Sequence, residues 1–236
     1  MSFSKEKSCD SCPIRHRAVC ASCETDELAV LESIKTYRNY EAGQPIIFAG
    51  DQLTFVGSLV TGTATLEQML EDGRKQTVGL LLASDFIGRP GRDTAPYDVT
   101  AITDVTLCCF QKAKFEELLR TTPHVSQRLL EMSLDELDAA RDWMLLLGRK
   151  TAREKIATFI VMIDKRTSDP TRAARTNSRE ITLPLTREAM SDYLGLTIET
   201  VSRQFSALKN EGLITLSGKR GVTIPDIAAL RDIAGS

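Results

Sequence analysis

The chain has no apolar run near the ~18 residues that a membrane-spanning helix requires. Its opening, Met-Ser-Phe-Ser-Lys-Glu-Lys, lacks the apolar core of a secretory leader, so a cytoplasmic protein with no membrane partner is expected. Histidine is scarce: His16 and His124 are the only two, far apart, and no nucleophile–base pair is evident. A thiol or metal enzyme is therefore not expected. An excess of basic charge is also missing. The net charge of −2 argues against non-specific coating of nucleic acid, so any DNA binding must come from a local surface. With 236 residues, 42% hydrophobic and 26% charged, the chain has the length and composition for two ordinary globular domains.

What is present starts at the C-terminal end, from Leu185 to Ile224. Thr186 is placed to cap a short helix carrying Met190, Tyr193 and Leu194, and Gly195 supplies the left-handed residue that ends it. Thr197 caps a second helix, with Glu199 in its first turn where the helix dipole favours negative charge. Ile198, Val201, Phe205 and Leu208 recur on that helix as a core stripe. Glu199, Ser202 and Arg203 share another face, and all three can hydrogen-bond base edges in a major groove. Downstream, Leu213–Leu216, a turn at Gly218-Lys-Arg-Gly221 and Val222–Ile224 read as a two-strand wing with a basic tip suited to phosphate. A solvated polar face on an ordinary helix pair would show the same helices; the hairpin that follows makes this a winged helix-turn-helix.

Six cysteines are unevenly spread. Four form Cys9-x2-Cys12-x7-Cys20-x2-Cys23, and Cys108 and Cys109 are adjacent. In a reducing compartment such crowding points to metal or redox chemistry rather than disulfides. Four thiolates suit tetrahedral zinc or an iron–sulfur cubane, and spacing alone leaves both open. The intervening Pro-Ile-Arg-His-Arg is basic and should lower the thiol pKa values; His16 reads as a solvated loop residue, not a ligand.

Between these ends, Glu24–Tyr37 reads as a helix. Short apolar runs at 45–48, 55–60, 64–66, 77–82, 99–102 and 105–110 alternate with glycine turns, including Asp72-Gly73, as in a jelly roll. After Pro123, Leu130, Ser133, Leu137, Ala140, Met144 and Leu147 recur as an a/d seam, expected to meet the same helix of a second subunit. A second stripe (Leu134, Arg141, Leu145) is expected to pack on the β domain, Gly148 to break the helix, and Ile156, Phe159, Ile160 and Ile163 to line another. Arg166–Arg179 reads as a polar loop.

This α+β layout of N-terminal β-roll, long dimerisation helix and C-terminal winged helix-turn-helix resembles the cyclic-AMP receptor/FNR superfamily of bacterial transcription regulators, from about residue 24 onward. Three stretches resemble its oxygen-responsive FNR branch, the FnrL-like members in particular: 9–20, Met-Leu-Leu-Leu-Gly-Arg-Lys-Thr-Ala-Arg-Glu-Lys at 144–155, and Gly-Leu-Thr-Ile-Glu-Thr-Val-Ser-Arg at 195–203. The resemblance implies domains at 1–23 (cluster-binding segment), 24–121 (β-roll), 122–148 (dimerisation helix) and 149–236 (DNA-binding domain). It implies a 4Fe-4S cluster on Cys9, Cys12, Cys20 and Cys108, a homodimer on an inverted TTGAT-type repeat, and RNA polymerase as a partner. Cys108 is preferred to Cys109 because it lies ten residues before Leu118, the family's interval, and adjacent strand residues point to opposite faces. Cys23 is the rival, and a local Cys9/Cys12/Cys20/Cys23 set would suit zinc. The superfamily's nucleotide-binding branch has an Arg-Ser pair where this chain has Ala95 and Pro96, so no cyclic nucleotide is expected. The alternative is a regulator of the same architecture controlled by zinc, by redox thiols or by another small effector.

Overall fold

The computed structural model describes residues 8–69, 71–73, 75–168 and 177–235. They divide into two compact units on either side of Asp138.

In the first unit, a 3-10 turn at Cys9–Ser11 precedes helix α1 (Thr25–Ile34). The Glu27 carboxylate reaches back to accept the Glu24 N–H at 2.9 Å, starting that helix. The helix stops three residues short of Tyr37, because Lys35–Tyr40 form strand β1 instead. Seven further strands follow: β2 (Pro45–Ile47), β3 (Phe55–Thr61), β4 (Ala64–Met69), β5 (Lys75–Leu81), β6 (Phe86–Ile87), β7 (Asp98–Ala101) and β8 (Val105–Gln111). They make two antiparallel sheets, β1-β8-β3-β6 and β2-β7-β4-β5. Leu59, Ala64, Ala101 and Leu107 are wholly buried in the core these sheets share. Each such leucine contributes roughly 1.5–3 kcal/mol by leaving water. The six expected strands are present; β1 and β6 are additions.

Two registers place the cysteine pair. Cys108 lies opposite Tyr37 on β1 and Ser58 on β3. Gly57 allows the close approach: a Cβ there would come within 2.5 Å of the Cys108 carbonyl oxygen.

Helix α2 (Lys112–Thr121) leads into α3 (Pro123–Arg149), 27 residues long. The face of α3 that packs on the roll is Val125, Leu129 and Met132. The expected stripe is corrected: Leu134 and Leu145 are 53% and 55% exposed, and Arg141 is exposed. The roll-facing positions fall earlier along the helix. Gly148 lies inside the last turn of α3, and the break falls after Arg149.

The second unit contains the end of α3, α4 (Ala152–Thr167), β9 (Arg179–Thr182), α5 (Arg187–Leu194), α6 (Ile198–Asn210), β10 (Thr215–Ser217), β11 (Gly221–Ile224) and α7 (Ile227–Ala234). Thr151 and Glu154 form a capping box that starts α4, and Ile156, Phe159, Ile160 and Ile163 are buried as expected. The wing has a third strand, since β9 pairs with β11 in the order β10-β11-β9. Pro170 and most of the polar loop expected there lie outside the described residues.

Candidate metal centre and nucleic-acid interface

The cysteine segment is folded by Arg15. Its guanidinium donates to the carbonyl oxygens of Ala21 at 2.7 Å and Cys23 at 2.9 Å, and also to that of Cys20. Ile14 and Ala18 pack against Val60 of β3, seating the segment on the roll. One pocket results, lined by Cys9, Cys12, Cys20 and Cys108 together with Tyr37 and Ser58. Cys109, 1% exposed, points the other way into the core of the roll. Cys23 is buried beside Cys9, Leu28 and Phe115 but does not line the pocket. All six thiols are free. Among the described residues, no three of His, Cys, Asp or Glu converge to hold a single metal ion.

The pocket wall is mostly hydrocarbon and sulfur, with the Ser58 hydroxyl among its residues. Ser58 is 2% exposed and its hydroxyl has no hydrogen-bond partner. Such an orphan is costly unless something in the pocket accepts from it. Lys35 Nζ lies 3.2 Å from Cys9 Sγ and 3.1 Å from Glu32 Oε1. Burial pushes the Cys9, Cys20 and Cys108 thiols up, and carries Cys23 and Cys109 up to about 12. Lys35 pulls Cys9 down and Arg15 pulls Cys20 and Cys23 down, but by less than burial raises them. The expectation of lowered thiol pKa values is thus corrected: desolvation outweighs the basic neighbours. His16 is exposed, as expected of a solvated loop residue.

In the second unit the predicted caps are in place. Thr186 accepts from the Ala189 N–H at 3.1 Å, and Thr197 from the Thr200 N–H at 3.2 Å. Gly195 takes φ +60°, a conformation that a β-carbon penalises. Lys155, buried on α4, donates to the Leu194 carbonyl at 3.1 Å and so neutralises the C-terminal end of α5. Val201, Phe205 and Leu208 are buried beneath α6, whereas Ile198, expected with them, is 43% exposed in its first turn. Glu199, Ser202 and Arg203 are all exposed. The first-turn Glu199 carboxyl is held below the usual range by its own backbone N–H and the Thr197 hydroxyl.

Two arginines of the second unit make contacts within the fold. The Arg187 guanidinium stacks 3.3 Å from the Phe205 ring centroid, and burial pushes its pKa down to about 10. Arg220 donates to the Pro184 carbonyl at 3.1 Å, leaving Lys219 as the exposed cation of the wing tip.

A profile described as a Crp-like helix-turn-helix domain matches residues 154–233, and one described as a cyclic nucleotide-binding domain matches residues 37–122. The transcriptional activator protein FnrL of Cereibacter sphaeroides is 62% identical over 96% of this chain and 92% of its own length. The chain belongs to the CRP/FNR family of transcription regulators. Another relative in that family is the transcriptional activator protein anr of Pseudomonas aeruginosa, 30% identical over 96% of this chain and 92% of its own. The solved structure of FixK2 from Bradyrhizobium japonicum superposes with a TM-score of 0.77 at 30% identity, covering 86% of this chain and 98% of that one.

Within this CRP/FNR chain, α3 leaves a row of large apolar side chains in solvent. Leu130 is 60% exposed, Leu137 46% and Met144 71%. Ala140 and Leu147 are half-buried, and Leu147 lies near Gly195 of the helix-turn-helix. Sequence reasoning did not single out Lys35, Ser58 or Arg128, whose Nη2 donates to the Arg17 carbonyl at 2.8 Å. Only the fold brings them to the cysteine segment, and none carries a motif.

Proposed function

We propose that the chain is an oxygen-responsive, homodimeric transcriptional regulator whose Cys9, Cys12, Cys20 and Cys108 hold a 4Fe-4S cluster. The observation that carries this reading is the shared pocket: four thiols from two parts of the chain surround one space, with a buried hydroxyl lacking a partner in its wall. Four thiols contributed by two parts of the chain suit an iron–sulfur cubane, in which each binds a different iron. When bound, the cluster supplies an oxygen-labile crosslink between thiolates.

Three of the ligands stand on the cysteine segment and one on β8, so together they fasten segment to roll. Arg128 then ties the same segment to α3, because its guanidinium holds the Arg17 carbonyl. A seated segment thereby fixes the start of α3, whose exposed Leu130, Leu137 and Met144, with Ala140 and Leu147, form the seam for a second copy. Dimerisation sets two α6 helices about one DNA turn apart, on an inverted TTGAT-type repeat. Arg203 reads the guanine bidentately, Glu199 accepts from a base amino group, Ser202 adds a base contact, and Lys219 meets phosphate. RNA polymerase is the downstream partner. No cyclic nucleotide is required: Ala95, at the family's phosphate position, is packed in the roll core and bonded through its backbone to Gly50 and Asp51.

The test is anaerobic purification followed by absorbance, iron and sulfide analysis, and operator binding before and after air. Brown protein with about four irons per chain, and affinity lost on bleaching, is expected. Colourless protein holding zinc, or operator affinity unchanged by removing iron, overturns the reading. Cys108→Ala should abolish iron loading, whereas Cys23→Ala and Cys109→Ala should retain it.

A further inference from the structure

We propose that Lys35 sets how readily the bound cluster is oxidised, acting on the Cys9 thiolate through a hydrogen bond and its positive charge. The inference rests on the cluster reading above and names the residue that tunes it.

Lys35 opens β1, and its side chain is only 6% exposed. Lysine is rarely buried so deeply without a specific partner. Its partner Glu32 is 41% exposed, so an ion pair between the two could form in solvent with no burial at all. Something else draws the ammonium inward. Its Nζ stands 3.2 Å from Cys9 Sγ, and the Glu32 oxygen that holds it at 3.1 Å also accepts the Cys9 N–H at 3.3 Å. One carboxylate oxygen thus fixes both the cation and the backbone of the cysteine it faces. Lys35 reaches the site through Cys9, which lines the pocket, whereas the Ser58 hydroxyl of β3 stands in the pocket wall itself.

The consequence follows from charge. Removing an electron from a cluster makes it more positive, and a fixed cation against one ligand sulfur opposes that change. A hydrogen bond to the same sulfur withdraws electron density and acts in the same direction. Glu32 partly offsets the cation, so the two residues push the potential in opposite senses.

The experiment uses full-length protein, purified and reconstituted without air, as wild type, Lys35→Met, Lys35→Arg and Glu32→Gln. Iron and sulfide content, the oxidation potential by mediated titration and the bleaching rate in air-saturated buffer are measured. Lys35→Met is expected to have a lower potential and to bleach faster, on the order of tenfold for one charge-assisted bond lost. Lys35→Arg should stay near wild type, and Glu32→Gln should shift the opposite way and bleach more slowly. Identical potentials and rates in Lys35→Met and wild type overturn the proposal. So does Glu32→Gln moving in the same direction as Lys35→Met, because a merely structural role would loosen the site in both. If Lys35→Met fails to load, the sign of the Glu32→Gln shift still decides. A wild-type preparation without iron sinks the cluster reading itself, before any variant is compared.

Discussion

Ser58 faces a pocket of sulfur and hydrocarbon with its hydroxyl bonded to nothing. In iron-free protein that hydroxyl is a defect, so Ser58→Ala should raise stability by ~1 kcal/mol in urea melts. In loaded protein, cluster sulfur would accept from it, and the same substitution should bring no gain and weaken iron retention. A gain of equal size in both states would leave Ser58 without any part in the site. At the other end, Arg203→Ala should cost ~1–3 kcal/mol per half-site and relax discrimination at the guanine. Equal weakening on every sequence in a binding titration would make Arg203 a phosphate contact. At this scale the sequence was legible where a motif fixes local geometry, as with Thr186, Gly195 and Thr197. It was not legible where tertiary contact decides. Arg220 reads as a phosphate-facing cation of the wing tip, yet its guanidinium donates to the Pro184 carbonyl. Ser58 shows no signal within its apolar strand, because its neighbourhood exists only once β3 pairs with β8.

Among elements, α3 makes the sharpest demand. Leu137 is already 46% exposed in the single chain, so Leu137→Asp should barely change the folding of a protomer. On the dimer proposal its effect appears in association: sedimentation should show monomer under conditions where wild type sediments as a dimer. Unaltered dimerisation would remove Leu137 from the seam. The periodicity that suggested a seam could not say which flank meets the roll, since Val125, Leu129 and Met132 and the exposed Leu134 and Leu145 are equally apolar. Strand β1 escaped the sequence reading for the opposite reason. Lys-Thr-Tyr-Arg-Asn-Tyr has little hydrocarbon, and it is a strand because β8 offers it a ladder.

Helices α1 and α3 are further joined by His124 Nδ1, 2.9 Å from Glu27 Oε1. The Glu27 hydrogen bond and charge raise the His124 pKa; Glu27 itself is lowered, chiefly by the Glu24 N–H and then by His124. The histidine's stabilising share is complete below its unfolded value of about 6.5 and is lost as pH rises through its higher folded value. An NMR titration should place His124 above the free value, with Glu27→Gln returning it. A His124 titrating at the free value would discount the pair.

For the whole molecule, the net charge of −2 means that DNA affinity is concentrated in a small basic footprint, which the proposed dimer would double. Binding to an operator with one half-site destroyed should therefore fall by orders of magnitude, not twofold. Each phosphate contact should steepen the logarithmic salt dependence by ~0.9. A footprint equally strong on a single half-site would mean that the dimer plays no part in recognition. The two-part architecture was legible from strand spacing and the winged-helix pattern. The wing's third strand was not, since Arg-Glu-Ile-Thr reads as the end of a polar loop until it pairs with β11.

Arg15 grips the peptide oxygens of Cys20, Ala21 and Cys23, so one side chain holds the turn of the cysteine segment. A mould held shut by its own guanidinium should keep its form whether filled or empty, so the ordering entropy of filling would largely be met beforehand. On the cluster proposal the protein should then be rechargeable: iron and sulfide returned to spent material would restore operator binding without refolding the chain.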